Sequence, residues 1–251
     1  MATPGNRLRT PFAPALDLPP PFRLVTLREV GDAFDHATRI AATEGAGTLV
    51  YVGRFDLAEF AVVLEPDEPL RTARRALYAG MGALGDALAA LAPPEKPITF
   101  DWPDAIRVDG GLVGGGRLAW PADADEGAPP AWLVFGAMIR TVSMLDEPGL
   151  TPLSAALEDE GFSDAGSERL AEAFARHLMM ATDTWQEAGF SALAKGYLER
   201  LPAERGMRRD IDANGDLLVR RTGGGQPERR ALVGALTVAS WLDPESGGPR
   251  R

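Results

Sequence analysis

The stretch with the clearest capacity for chemistry is FDWPDAIRVDGGLVGGGRLAWP, from Phe100 to Pro121. Gly110, Gly111, Gly114, Gly115 and Gly116 are five glycines within seven residues, set between two strand-like arms. Glycine this dense lets the backbone turn tightly or lets another group approach it closely. A phosphate-cradling loop would need GxxxxGK[ST] opening a helix. GGLVGGG has no such lysine and is flanked by strand on both sides. Asp109-Gly110 suits a tight hairpin turn. Gly114, Gly115 and Gly116 then become strand positions without side chains, either the wall of a ligand pocket or a plain structural hairpin.

Other reactive residue types are scarce. The chain has no cysteine, which removes thiol nucleophiles, disulfides, thiolate metal sites and iron–sulfur clusters together. There are two histidines, His36 and His177, and two lysines, Lys96 and Lys195. Asp32, Asp35 and His36 fall at i, i+3 and i+4 and would share one helical face. Two carboxylates and an imidazole can hold a metal, but a solvated face is the simpler reading, and no metal is expected. His177, beside Met179 and Met180, reads as a helix-packing residue. No Gly-x-Ser-x-Gly is present to support a serine triad, and no residue receives a catalytic role from its pattern.

The formal net charge of −10 argues against a nucleic-acid backbone as partner. The longest apolar run, AWLVFGAMI, is too short to span a bilayer, and prolines occupy the N-terminus where a signal peptide needs an apolar helix. A cytoplasmic protein without membrane or nucleic-acid partners is the expectation.

These segments need elements to position them. A Pro-rich arm over residues 1–22 precedes a strand, Arg23 to Val30, and a helix with apolar Ala33, Phe34, Ala37, Ile40 and Ala41. TLVYVGR and AEFAVVLEP read as strands joined by a very short link. RTARRALYAGMGALGDALAALAPP reads as one long helix stopped by Pro93 and Pro94. ITFDWP, the glycine stretch and AWLVFGAMIRTV read as strands. From about Pro152 to Leu201 the pattern turns helical, with Asp164 or Ser167 as the N-cap. The tail from Asp210 alternates like strands around an Asn214-Gly215 turn, and GGPRR reads as frayed. The expected fold class is α+β: a mixed sheet packed against helices over residues 23–203, then a small β-rich appendage over 204–251.

The order of these features resembles the biotin protein ligase and lipoate ligase superfamily. Family members carry KWPNDI followed by KxGGIL; here DWPDAIRVDGGLVGGGRL aligns Trp102, Pro103, Ile106, Gly114 and Gly115. VFGAMIR keeps Gly136 and Ile139 of the family's GxGIN strand. TPLSAALEDEG resembles the TSLxxEG segment, TWQEAGF the "w…Gf" helix, and DIDANGDLLV the hairpin of a small C-terminal domain. The resemblance implies a ligand pocket lined by Arg54, Trp102, Asp104, Arg107, Leu112, Gly114, Gly115, Gly116, Arg117, Gly136 and Arg140. Biotin, lipoate or ATP are the ligands it implies, and a biotinyl or lipoyl carrier domain the partner.

Several positions depart from the family pattern. Its adenylate loop, GRGRxGR, is reduced to Gly53-Arg54. The lysine that contacts acyl carboxyl and phosphate is Leu112, which cannot stabilise developing negative charge. The KWPND lysine is Asp101, its Asn-Asp pair reads Asp104-Ala105, the ST(N) turn is Gly31-Asp32-Ala33, and the GIN asparagine is Arg140. Lys195 reads as a solvated helix position. Arg54, Arg107, Arg117 and Arg140 are the cations left to bind carboxylate or phosphate, which guanidinium does bidentately. Two functions follow. One is a non-ligating descendant that binds an acyl or carboxylate-bearing small molecule or a carrier domain. The other is an active ligase or acyltransferase that modifies a carrier lysine.

Overall fold

The computed structural model describes residues 16–28, 31–144, 153–163 and 165–251. Its frame is a seven-stranded sheet, in spatial order β1 (Arg23–Leu27), β2 (Thr48–Val52), β3 (Leu57–Leu64), β7 (Leu133–Arg140), β6 (Gly111–Ala119), β5 (Ala105–Val108) and β4 (Ile98–Asp101). Only β1 and β2 pair in parallel, because helix α1 (Ala33–Glu44) supplies the crossover between them. The other strands pair antiparallel, joined by short turns, by helices packed on the sheet, or, between β6 and β7, by a loop over residues 120–132.

Each face is covered, so central strands are apolar on both sides. All five residues of β2 are buried, as are the first seven of β3. One face carries Phe60, Val62, Phe135 and Ile139 beneath α3 (Ala76–Leu91) and α4 (Ser167–Ala188). The other carries Val50, Val52, Ala61, Val63 and Val134 beneath α1. α5 (Phe190–Glu199) follows α4 after a break at Gly189, whose φ of 78° ends the longer helix. A second sheet of order β10 (Glu228–Arg230), β9 (Leu217–Arg221), β8 (Met207–Ile211) follows, then α6 (Leu232–Ala235).

The long Ala/Leu helix is in fact two. α2 (Leu70–Ala73) and α3 are separated at Arg74 and Arg75. Arg74 is buried there, ion-paired to Glu126 and lying over the Trp120 ring at 4.5 Å. Its pairing across the chain outweighs the local helical pattern. The first strand ends at Leu27, with residues 29–30 outside the described residues. Residues 153–163 form turns and a bridge instead of helix. α4 is capped by Gly166 without a side-chain bond; Ser167 is its first residue, and Asp164 lies outside the described residues. Of the Pro-rich arm, residues 1–15 are likewise outside them. In the tail, the hairpin at Asn214-Gly215 forms, closed by Asp212 N–H donating to Asp216 O at 3.0 Å. Beyond Arg230, however, the strand-like pattern gives way to α6 and a looped C-terminal segment. The C-terminus is tied down: Leu242 bridges to Pro249, and Arg250 N–H donates to Trp241 O at 2.7 Å. Among the described residues, no helix is long and apolar enough to cross a membrane.

Candidate functional site

Asp109 and Gly110 turn the β5–β6 hairpin with φ of 48° and 84°, the left-handed pair that Asp-Gly favours. Past the turn, a bulge lets Ile106 and Arg107 oppose Gly114 and Leu112, with Val113 as the extra residue. That residue shifts the alternation, so Leu112 and Gly115 lie on the same face although three positions apart. Alternation along neighbouring strands adds Leu57 and Glu59, Arg117, and Gly136, Met138 and Arg140 to this face. Leu112, Gly115, Arg117, Gly136 and Arg140, five of the eleven implied pocket residues, therefore share one surface, flanked by α1.

The glycines open space that the protein itself fills. A side chain at Gly114 would collide with the Met138 carbonyl, and one at Gly116 with Met81 and Phe135 on the opposite face. One at Gly115 would strike the Asp104 carbonyl and the indole of Trp241. Gly136 is covered by Phe34 of α1. Trp241 is fully buried and forms a small cluster with Leu57, Ala105, Leu112 and Met138, separate from the two main cores. Its indole N–H donates to Gly116 O at 2.9 Å. Next to it, Ser240 binds Asp104 twice: backbone N–H to Oδ2 at 3.0 Å and Oγ–H to Oδ1 at 2.5 Å. Burial pushes the Asp104 carboxyl up, against the lowering effect of those two bonds.

The arginines divide into two situations. Arg117 donates to both Asp32 oxygens at 2.9 Å and lies over the Phe34 ring at 4.4 Å. Arg54 makes a two-pronged bond to Asp56, at 3.1 and 2.9 Å, and approaches Glu59 at 3.9 Å. Arg107 donates to Asp101 at 2.6 Å, to the Gly110 carbonyl at the hairpin tip and to the Leu153 carbonyl beyond it. Glu59 is buried and accepts from Ala33 N–H at 2.8 Å. Burial raises its carboxyl, opposed by that N–H and by the Arg54 and Arg117 charges. Two guanidinium groups thus face three carboxylates beside α1. Arg140 differs. Its partners are neutral carbonyls, Pro249 O at 2.5 Å, Arg250 O at 3.3 Å and Ala155 O at 3.4 Å. Burial lowers its pKa, helped by the like charge of Arg251.

Trp102 lies away from this surface; it packs against the main core and donates to the Tyr78 hydroxyl at 3.0 Å. Asp32 caps α1, accepting from Phe34 and Asp35 N–H, so it does not join Asp35 and His36 on the helix face. Among the described residues, no group of three or more His, Cys, Asp or Glu side chains is placed to hold a metal. Lys195 is exposed beside Glu199, and Lys96 is held by Asp109 and Glu160. Glu59 and Trp241 are the participants that sequence reasoning passed over. Glu59 sits in a β-rich run as a lone acid among apolar residues, which was a readable signal; nothing local marks Trp241.

A mixed sheet with a helix crossover, a glycine-rich central hairpin and helices on both faces is the fold of biotin protein ligase catalytic domains. The family model of the Biotin/lipoate A/B protein ligase family matches residues 18–199. The chain belongs to that family. Among solved structures it is similar to a biotin protein ligase-like protein of unknown function from Silicibacter sp. TM1040, at 28% identity and a TM-score of 0.76, covering 89% of this chain and 100% of that one. Biotin protein ligase from Aquifex aeolicus shares the fold at 13% identity and a TM-score of 0.63, over 83% of this chain and 99% of that one. Biotin protein ligase from Leishmania major, in complex with biotinyl-5-AMP, does so at 17% identity and 0.54, over 85% and 99%. No curated protein matches the sequence.

Proposed function

We propose that the chain is a non-ligating member of the family that binds an acyl small molecule through its carboxylate. One observation carries this reading. Of the four candidate arginines, Arg54, Arg107 and Arg117 are each matched to a carboxylate, whereas the partners of Arg140 among the described residues are neutral carbonyls. A triphosphate approaching α1 would meet three acids against two arginines already paired, an unfavourable field for a polyanion. Leu112, where the family keeps its lysine, contributes an apolar surface to the Trp241 cluster. Arg140 at the edge of that cluster supplies a cation beside apolar floor, a combination that suits a carboxylate on a hydrocarbon body.

Purified protein incubated with ATP and biotin, lipoate or octanoate tests this directly. The expected result is no acid-dependent pyrophosphate release, together with a rise in thermal midpoint with at least one of the acids that Arg140→Gln abolishes. Ligand binding to the native state raises the midpoint. Acid-dependent pyrophosphate release would establish an active ligase instead, and biotin or octanoate appearing on a carrier domain would establish a transferase.

A further inference from the structure

Resting on that reading, we infer that the C-terminal segment from Ala239 to Arg250 is an internal stand-in for the ligand, closing the site until it is displaced. Its contacts reproduce what the proposed ligand would make. The Trp241 ring fills the apolar floor over Gly115 and against Leu57, Leu112 and Met138. The Pro249 and Arg250 carbonyl oxygens occupy the Arg140 guanidinium, where carboxylate oxygens would sit. Two neutral carbonyls hold a guanidinium less strongly than one carboxylate does, because a carboxylate adds a net opposite charge and the two-pronged geometry that a guanidinium fork matches. A carboxylate ligand therefore has a gain to make by exchange.

The segment is also built to leave as a unit. It closes on itself through the Leu242–Pro249 bridge and through Asp243, which accepts from Glu245 N–H and Ser246 Oγ–H. Its apolar cluster is distinct from both main cores, so its departure leaves the packing of the sheet against α1, α3 and α4 in place. It is joined to α6 through Thr237 and the exposed Val238. Apart from Trp241 and Pro249, its residues are exposed or half-buried, and segments of that kind open at lower free energy than the core.

The chain's lack of cysteine allows a reversible lock. In the full-length protein, Asp104→Cys with Ser240→Cys places two thiols where the side chains already touch. Octanoate is titrated into the oxidised and reduced forms and into Trp241→Gly. The expected result is that oxidation abolishes binding, reduction restores it, and Trp241→Gly binds about tenfold tighter or more, since closure lowers apparent affinity by the closed fraction. Equal affinity of oxidised and reduced forms overturns the inference. If no form binds octanoate, biotin or lipoate, the carboxylate-binding function fails, and hydrogen exchange of the native chain decides the segment separately. Exchange of the Trp241 indole and Arg250 amide at least a hundredfold faster than the β6 amides supports a detachable segment. Exchange of both only with global unfolding overturns it.

Discussion

The indole N–H of Trp241 donates to the carbonyl of Gly116 at 2.9 Å, across 125 residues of chain, and lays its ring against Gly115. The glycine hairpin and the C-terminus are therefore complementary surfaces, and each constrains what the other tolerates.

Gly115→Ala tests that fit. The added methyl has no room between the Asp104 carbonyl and the indole, so either the β5–β6 pairing or the Trp241 contact must shift. Overpacking of this kind costs about 1–3 kcal/mol. Urea unfolding followed by tryptophan fluorescence should show a lower midpoint, and trypsin should reach the C-terminal segment sooner. An unchanged midpoint would mean that the ring and the strand are less closely apposed than described.

Leu112→Lys places an ammonium beneath Trp241, in a site Leu112 leaves only 8% exposed. The charge would enter a cluster of Leu57, Ala105, Met138 and Trp241 side chains, and destabilisation by about 2–5 kcal/mol is expected. On the proposed reading, a lysine at this position should not confer ATP-dependent chemistry, because the arginines beside α1 remain paired. Thermal unfolding and pyrophosphate release measured on the same preparation check both parts.

Asp32 performs two tasks, capping α1 and pairing with Arg117. Asp32→Asn keeps an N-cap acceptor and loses the charge, so it should cost no more than about 1 kcal/mol. Asp32→Ala loses the cap as well, a further ~1 kcal/mol. The difference between the two variants should persist in high salt, which screens the ion pair but leaves a neutral hydrogen bond intact.

The pH dependence of stability follows from Glu59 and Asp104. Burial raises both carboxyls in the native state, so the folded chain holds their protons more tightly than the unfolded chain. Stability consequently falls as pH rises through the window between the ordinary carboxylate range and the raised values, and is gained on acidification from neutral. Asp56 runs the other way. Its burial pushes the carboxyl up, but the bonds to Arg54 outweigh that and leave it lowered, so its contribution is lost as pH falls through the ordinary range. A maximum at mildly acidic pH is expected. Glu59→Gln should flatten the rise on the neutral side, and a Glu59→Gln profile parallel to that of the native chain would show that Glu59 does not set it.

Much of the frame is legible because it is local. Two-residue alternation gives the strands, Asp109-Gly110 gives the hairpin, and the spacing of Ala33, Ala37 and Ala41 gives α1, although the capping role of Asp32 does not show in that spacing. The misread elements are those where a distant partner overrode the local pattern. Arg74 breaks a helix that its neighbours favour because Glu126 and Trp120 claim its side chain. The residues after Arg230 alternate as strands do, yet form α6 and the segment that docks on the hairpin.

By itself, the sequence determined the inventory and the frame: no cysteine, lysines at only two positions, a leucine where the family resemblance implies a lysine, and family motifs in their order. Only the tertiary structure decided which arginines are spoken for and what covers the glycines. Ion pairs such as Arg117 with Asp32, 85 residues apart, and the seating of Trp241 on Gly115 join groups whose sequence neighbourhoods carry no mark of one another. Such contacts form because the folded sheet and the segments packed on it bring the groups together, and desolvation then favours the pairing that leaves the fewest buried charges unmatched.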